Sequence, residues 1–474
     1  MNLKLGHSRK IITAIILTTL LSSCAVTSVF MSYPKQAATI KQQIDLNQIQ
    51  LVTDKLDKKR HAADKILYLM ERGRTAQIGN DSKMSREDYV LAKEAISALE
   101  QKAIINASGS GAKLASMFTN DNAIPYTGES YEHVFLYHFQ AMNYLFDNDL
   151  QGALVEVRRA NEEQELALRR HSKELAKLEE KKQKQKEQPA NQKKSFFSAF
   201  KQLDAVSDKV KNSFQNAYTF YASGVMWELE EKYNDAYIDY KKALEIFPEN
   251  PFIQADVVRL AKNLGMRTDL ARFKKQFKVG KVTPVKKGGE LIVFFEQGFA
   301  PVKEEVKVSV PTHTGIHSIA FPTYTGQWQA TPALTINDVS NKQNLGMTSP
   351  IVYVQALASK ALKEDLPAML VRQIIRIVVK KETSKQAGDQ FGVAAVLAST
   401  ALNIATERAD LRSWLTLPND AQIFRKTLAP GERNISLGNG IASGDISIKI
   451  IPGKKTILRV VSTGNTLHTT SIIL

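Results

Sequence analysis

The chain has 474 residues, of which 43% are hydrophobic and 24% charged, so it is long enough for two or three domains with ordinary apolar cores. Its single cysteine excludes an internal disulfide. The 64 lysines and arginines outnumber the 48 aspartates and glutamates by 16, which favours anionic partners such as lipid headgroups, peptidoglycan carboxylates or an acidic protein. There is no zinc-finger spacing or RNA-binding sheet motif, so nucleic acid is not an expected partner.

The N-terminal residues have the organisation of a bacterial secretory signal. A basic start precedes an apolar stretch at 11–21, which is too short to span a bilayer as a helix. Residues 21–24, Leu-Ser-Ser-Cys, resemble the lipobox of bacterial lipoproteins, in which the cysteine becomes the lipid-modified N-terminus. This resemblance predicts a lipoprotein signal peptide over 1–23 and acylation of Cys24. The alternative is an ordinary cleaved signal with an unrelated cysteine.

Acyl chains on Cys24, such as palmitate, would anchor the protein. Two or three chains hold stably because each buried methylene contributes about 0.8 kcal/mol. Ala25 stands where an aspartate retains lipoproteins in the inner membrane. The resemblance therefore implies an outer-membrane, periplasm-facing location in a Gram-negative bacterium. Residues 24–63 are predicted to be a tether followed by a first helix.

Residues 64–280 are predicted to form a helical domain. In segment 217–250 the spacing of small and aromatic residues resembles the tetratricopeptide (TPR) repeat, a pair of antiparallel helices of about 34 residues. Segment 134–167 is a second copy, and segment 66–99 is a less regular third. Small residues let the paired helices approach, and aromatic rings fill the gap between them. Helical arrays need a capping element, and a closing helix is predicted after residue 250.

The two more regular copies each have a set of predicted packing residues. Asn234 and Asp235 are expected to form the turn and N-cap of the second helix in segment 217–250, and Pro248 is expected to end that helix. The predicted packing residues are Tyr137, Ala141, Tyr144, Ala153 and Ala160 in the first copy and Gly224, Trp227, Ala236, Tyr240, Ala243 and Pro248 in the second.

Residues 162–213 are predicted to form a charged helical hairpin inserted between two repeats. Glu165 stands at the repeat's usual proline position, so the helix can continue. Leucine and alanine then recur at three- and four-residue spacing among charges, and a returning helix follows. Residues 169–201 contain 11 basic and 4 acidic residues, and residues 262–287 contain 9 basic and 1 acidic. Both runs are candidates for contact with an anionic partner, with a solvated helix face as the alternative.

Residues 281–474 are predicted to form a β-rich domain. "DISIKII" and "KTILRVV" flank Pro452-Gly453 and are typical of a hairpin. A helix pair is predicted over 353–408, buried in preference to inserting into a membrane, because polar residues interrupt its apolar part. The predicted fold class is therefore α+β and multidomain: TPR-like helical repeats with an inserted charged hairpin, then a β-rich domain with an embedded helix pair.

Three phrases carry a family resemblance: "ALVEVRRANEEQ" (153–164), "GELIVFFEQGFAPVKEE" (289–305) and "ERADLRSWLTLPNDAQIFR" (407–425). They resemble a family of uncharacterised proteobacterial outer-membrane lipoproteins with TPR-like repeats and a C-terminal β-rich domain. The resemblance covers most of the chain after the signal. Such proteins are encoded beside lipoprotein activators of peptidoglycan synthases, and the resemblance therefore implies work in the cell envelope. It implies no reaction, cofactor or catalytic residue.

The patterns that could carry catalysis or bind metal are weak. His313 and His317 have a spacing that suits a metal on a helix, but Gly315 lies between them in a β-like stretch, so exposed histidines are expected. With Cys24 acylated, no thiol nucleophile remains. We therefore expect no metal, no cofactor and no enzymatic activity. Structural ion pairing is expected for Arg372, Arg376, Glu407, Arg408, Asp410 and Arg412.

The main functional hypothesis is a lipid-anchored periplasmic scaffold that binds protein partners in cell-envelope biogenesis or maintenance. A second is a regulator or tether of peptidoglycan synthesis that contacts the wall or a synthase through the basic hairpin. A third is an unrecognised envelope enzyme. The TPR resemblance implies a partner groove along the first helix of each repeat, with helix packing as the alternative for the same residues. The predicted groove residues are Phe135, His138, Met142, Leu145, Tyr218, Tyr221, Val225 and Glu228.

Overall fold

The computed structural model of the protein describes residues 32–107, 121–184, 198, 200–277, 288–312, 315–326, 328, 330–391 and 408–474. Within these residues the chain is α+β, with helices through the N-terminal half and sheets in the C-terminal part, as predicted. The predicted signal peptide and Cys24 lie outside the described residues. None of the described helices combines the length and the hydrophobicity needed to cross a bilayer.

The described residues of the N-terminal half form mainly helices, most of which are joined in pairs by short turns. Two helices, rather than the single expected one, precede the first repeat. The helices are α1 Tyr33–Asp45, α2 Ile49–Asp57, α3 Lys65–Ile78, α4 Ser82–Ala107, α5 Ser130–Phe146, α6 Leu150–Lys184, α7 Asp204–Ser207, α8 Ala217–Leu229, α9 Tyr233–Ile246, α10 Pro251–Asn263 and α11 Arg267–Gln276. The pairs α3–α4, α5–α6 and α8–α9 fall on the three predicted repeat segments.

Five helix pairs share one turn geometry. The pairs α1–α2, α3–α4, α5–α6, α8–α9 and α10–α11 are each joined by three residues, and the middle residue has φ between 58° and 68°. A left-handed residue after a helix ends it and reverses the chain. Because of this turn, α9 begins at Tyr233, one residue before Asn234, which was predicted to form the turn and N-cap together with Asp235. The five middle residues are Asn47, Asn80, Asn148, Glu231 and Gly265.

Small residues set the approach of the paired helices. A Cβ on Gly224 would lie 2.5 Å from the Tyr240 ring, and a Cβ on Gly73 would lie 2.6 Å from the Tyr89 ring. The two pairs therefore use the same close contact at matching repeat positions. Most of the predicted packing residues are buried: Ala141, Ala153, Ala160, Gly224, Trp227, Ala236, Tyr240 and Ala243. Tyr137 and Tyr144 are half-buried, and Pro248 is exposed just beyond α9.

Helix α6 is one continuous helix of 35 residues, as the missing proline predicts. The returning helix differs from the prediction. After residues 185–197, which lie outside the described part of the chain, a 3₁₀ turn at Lys201–Leu203 leads into the four-residue α7. Phe200 packs against Phe321 at 6.1 Å between ring centroids, and Lys363 pairs with Asp204 at 2.6 Å. These contacts hold the segment against the C-terminal half.

The described residues of the C-terminal half form two sheets, a separate hairpin and one long helix. A five-stranded sheet has the order β11-β10-β1-β7-β6, in which only β1 and β10 are parallel, and a four-stranded sheet has the order β5-β4-β8-β9. The hairpin is β2-β3. The elements are β1 Gly289–Gln297, β2 Glu304–Thr312, β3 Gly315–Thr323, β4 Thr335–Asp338, β5 Gln343–Met347, β6 Ser349–Tyr353, α12 Val354–Phe391, β7 Asp420–Leu428, β8 Gly431–Gly438, β9 Ser443–Ile450, β10 Lys455–Thr463 and β11 Thr466–Ile473.

Two expectations for this half differ from the structure. Strands β9 and β10 flank Pro452-Gly453 as predicted, yet β9 pairs with β8 and β10 pairs with β1 and β11. The turn therefore carries the chain from one sheet to the other. Of the helix pair predicted over 353–408, α12 is the first member, and residues 392–407 lie outside the described residues.

The five-stranded sheet lies between the helices and the second sheet. On β1, Leu291, Val293 and Phe295 belong to a core shared with the four-stranded sheet. The alternate residues Ile292 and Phe294 belong to a core shared with the helices. Because side chains alternate along a strand, one strand contributes to both cores. The protein is thus built as helices, sheet and sheet in three layers.

Candidate functional site

The eight residues predicted to line a groove are all buried, none more than 3% exposed. The five-stranded sheet covers them: Phe294 on β1 lies 5.7 Å from the Tyr218 ring and 6.2 Å from the Tyr221 ring, centroid to centroid. The predicted groove is therefore closed by the chain itself, and its residues pack the interface between helices and sheet. They are Phe135, His138, Met142 and Leu145 on α5 and Tyr218, Tyr221, Val225 and Glu228 on α8.

A buried ion pair lies at the centre of this interface. Glu296 on β1 pairs with Arg74 on α3 and accepts a hydrogen bond from the Tyr218 hydroxyl at 2.7 Å. Arg459 on β10 donates to the carbonyl of Gln77 at 2.7 Å. Burial alone would raise the pKa of Glu296, but Arg74 and Arg459 outweigh it and hold that pKa below its ordinary value. Glu296 is therefore ionised, and it joins two helices to the sheet.

His138 lies against this ion pair without joining it. Its ring is 4.5 Å from the Tyr218 ring and 5.4 Å from the Phe139 ring, and neither ring nitrogen has a hydrogen-bond partner. Burial lowers the pKa of His138 to about 4. A histidine that exchanges protons at neutral pH needs a pKa near 7. His138 therefore serves as an aromatic packing residue.

A second buried ion cluster joins the last repeat to the sheet. Arg425 on β7 bonds Glu228 at 2.9 and 3.0 Å, Glu290 at 2.8 and 3.1 Å and Asp256 at 3.3 Å. Arg259 on α10 bonds Glu228 at 2.6 Å. Burial would raise the pKa of Glu228, but Arg425 and Arg259 lower it well below its ordinary value. Lys455 also pairs with Glu290 at 3.5 Å, so three cations face the three carboxylates of this cluster.

Buried carboxylates on the helices hold the segment before β7, which has no regular structure. Glu71 on α3 accepts hydrogen bonds from the amides of Leu415 at 2.7 Å and Thr416 at 3.1 Å. Glu132 on α5 accepts one from the amide of Trp414 at 2.8 Å. Burial raises the pKa of Glu71, although its hydrogen bonds oppose this. Buried amides need acceptors, and these side chains supply them.

The arginines of the expected ion network fall into two groups. Arg376 pairs with Asp121, whose backbone carbonyl accepts a hydrogen bond from Arg412 at 3.0 Å, and Arg412 also pairs with Asp410 at 2.7 Å. Arg372 pairs separately with Asp365 at 3.2 Å. Glu407 lies outside the described residues. The observed contacts are structural ion pairs.

A small cleft lies where the described chain begins. Its volume is about 50 Å³, and its lining includes Ser32, Tyr33, Asp64, Tyr68, Arg408 and Arg412. Pockets for organic ligands usually enclose about 300–1,000 Å³, so this cleft has room only for a few water molecules. In the part of the chain that the structure describes, no three His, Cys, Asp or Glu side chains are grouped so as to hold a metal ion. His317 lies on β3, and His313 falls outside that part.

Sequence reasoning missed the buried charges of this interface, although a signal for them exists. Glu296 follows "LIVFF", Arg425 stands in "QIFRK", and Arg459 stands in "ILRVV". A charged residue inside an otherwise apolar strand needs a buried partner of opposite charge. The pattern therefore predicts that another element of the chain packs on the strand and supplies side chains of the opposite charge.

The chain matches no known protein-family model. It also matches no curated protein. The family resemblance carried by the three sequence phrases therefore stays a prediction.

Proposed function

We propose that the protein is a lipid-anchored periplasmic scaffold that binds other envelope proteins through the outer side of its helices, without a reaction of its own. The main support for this proposal is that the chain's own sheet covers the inner side of the helices. The outer side of α6 and α9, in contrast, exposes large apolar side chains. We name these the outer helical surface: Val155 and Leu166 on α6 and Ile238 on α9, each 42–48% exposed.

The outer helical surface belongs to two helices that lie side by side. Asn161 on α6 donates to Asp239 on α9 at 3.3 Å, and Lys242 on α9 pairs with Glu165 on α6 at 3.5 Å. Protein interfaces combine an apolar centre with a polar and charged rim, and this surface offers both kinds of side chain. The buried ion pairs to the sheet make this surface rigid, so a partner meets a preformed face.

The proposed anchor places this surface near a membrane. Seven residues lie between Cys24 and Ser32, where the described chain begins, and the eight steps from Cys24 to Ser32 span at most about 29 Å. Lipid on Cys24 would therefore keep the folded body close to the bilayer. Radiolabelled palmitate should enter the wild-type protein and not a Cys24→Ala variant, and the variant should leave the membrane fraction. An unlabelled wild-type protein would refute the anchor.

Site-specific photocrosslinking in cells tests the partner surface. A photoreactive residue at Leu166 or Ile238 should form adducts with envelope proteins. The matched control is Ile441, which is 62% exposed in the β8–β9 turn, and it should not form these adducts. The same adducts at all three positions, or adducts at none, would refute binding through the outer helical surface.

The second candidate function is a regulator or tether of peptidoglycan synthesis. It is supported by the C-terminal part of α6, which extends away from the packed helices. Ala167 is buried, the side chains described beyond it on this helix are exposed, and the helix continues to Lys184. That extension is about 25 Å long at about 1.5 Å per residue. Residues 169–184 contain seven basic and three acidic side chains, which favours the anionic wall or an acidic synthase surface.

Binding to isolated sacculi tests this second candidate. Binding should weaken with salt and be lost when Lys177, Lys181 and Lys184 become glutamate, because exposed charges act over about 8 Å at physiological ionic strength. The control is replacement of Lys274 and Lys275, both exposed on α11, which should leave binding unchanged. Equal binding by both variants would exclude α6 as the contact.

A further inference from the structure

Strand β11 forms one edge of the five-stranded sheet, and in the described part of the chain it pairs only with β10. The direction of its backbone groups follows from one residue pair. Lys455 and Leu474 exchange both amide–carbonyl hydrogen bonds, at 2.9 and 3.0 Å. In an antiparallel ladder this pattern repeats at every second residue. The residues between therefore direct their N–H and C=O groups away from β10; they are Leu467, Thr469, Ser471 and Ile473.

The other edges of the two sheets carry features that limit pairing: strand β5 has five residues, and a bulge interrupts its pairing with β4. Strand β9 has Asp445 and Lys449. Strand β6 contains Pro350, and Asn250 donates to the carbonyls of Ser349 and Pro350 at 3.2 and 2.8 Å. Charges, prolines and covering side chains are the usual protections of an edge. Strand β11, "TLHTTSII", has no charged residue, proline or glycine, and burial lowers the pKa of His468, so the strand is neutral at neutral pH.

The open side of β11 is accessible. Each of its residues is half-buried or exposed, and Ser471 is exposed. Asn80 reaches the strand from the α3–α4 turn and donates to the Thr469 carbonyl at 3.5 Å. A carbonyl oxygen accepts two hydrogen bonds, so this long contact leaves Thr469 able to pair with another strand.

We propose that two copies of the protein pair through β11, antiparallel, about a twofold axis at Thr470. The four outward residues are symmetric about this position, so Leu467 meets Ile473 of the second copy and Thr469 meets its Ser471. Every outward N–H and C=O group is then paired, with two hydrogen bonds for each residue pair. A closed twofold contact of this kind uses the same patch on both copies. Because β11 is neutral, the paired strands bring no like charges together despite the positive charge of the chain.

Disulfide trapping tests this geometry. In the full chain with Cys24→Ala, a Thr470→Cys thiol would face its own counterpart across the axis, with Cβ atoms about 4.5–5.5 Å apart, which is near the range a disulfide accepts. Mild oxidation should produce a covalent dimer. The control is Ser447→Cys, at an exposed position of the β9 edge, which should stay monomeric. Equal crosslinking of both variants, or of neither, would overturn the proposal.

Sedimentation equilibrium provides a test without crosslinking. Ser471→Lys should raise the dimer dissociation constant at least tenfold, because two lysines would lie diagonally across the axis at about 7–8 Å. The matched control Ser447→Lys makes the same change on β9 and should leave the constant unchanged. A Cys24→Ala chain with unaltered β11 that is monomeric at all concentrations, or equal dissociation constants for the two serine variants, would overturn the proposal. Because the Cys24→Ala chain is used throughout, these outcomes are independent of the lipid anchor and of the outer helical surface.

Discussion

Replacing His138 by leucine should change how the stability of the protein depends on pH. Burial holds the pKa of His138 at about 4 in the folded protein, against an ordinary value of 6.5. Between these values the unfolded chain binds more protons than the folded one, so wild-type stability falls as pH falls from 6.5 towards 4. With these two pKa values the loss amounts to about 2 kcal/mol at pH 5. The His138→Leu variant lacks this loss.

The measurement is urea unfolding of the full chain at pH 7, 6 and 5, followed by circular dichroism. At pH 7 the variant loses ring contacts with Tyr218 and Phe139 but also loses two unpartnered polar atoms. The informative quantity is therefore the change with pH. Between pH 7 and pH 5 the variant should gain about 2 kcal/mol over wild type. His61→Leu, at an exposed position, is the control and should show no gain. Parallel pH curves for wild type and His138→Leu would refute the burial argument.

Three further substitutions test the packing and the ion pairs. Glu231→Gly should stabilise the protein by about 1 kcal/mol in thermal melts, because glutamate there has φ 58°; a lower melting temperature would contradict this. Gly224→Ala should destabilise by about 1–3 kcal/mol through contact with the ring behind it, whereas Gly326→Ala, with no contact closer than 3.9 Å, should be neutral. Glu296→Gln should cost about 3–5 kcal/mol in urea unfolding, because it leaves buried guanidiniums without their carboxylate. The pKa of Glu296 is lowered in the folded protein, so this cost should shrink as pH falls below about 4.5; a cost independent of pH would contradict the assignment.

The helix pairs could be predicted from sequence because their contacts are local. Gly224 meets Tyr240, and Gly73 meets Tyr89, within a single repeat. The spacing of small and aromatic residues therefore carries the information. The continuation of α6 was predictable for the same reason, since it depends on a helix breaker being absent at Glu165.

The interface between helices and sheet could not be predicted in the same way. Glu296 and Arg74 are 222 residues apart in the chain, and neither residue's neighbours identify the other. Strands β9 and β10 show why alternation alone misleads. Their pattern and the Pro-Gly turn are typical of a hairpin, yet each strand pairs and buries its apolar side chains in a different sheet. A charge inside an apolar strand predicts that a partner exists, but not which one.

The carboxylates that hold the segment before β7 have a consequence for biosynthesis. The acceptor Glu71 and the amide of Thr416 are separated by 345 residues, so during synthesis the early helices are made long before these hydrogen-bond donors. Within the helices Glu71 accepts a hydrogen bond from the Tyr33 hydroxyl at 2.6 Å, and water must supply its other donors until Leu415 and Thr416 arrive, because a buried carboxylate needs them. The helical half therefore lacks three of its buried hydrogen bonds until residues 414–416 have been made. A nascent chain stopped before residue 408 should remain loosely packed and sensitive to proteases, and the last strands made complete the first helices.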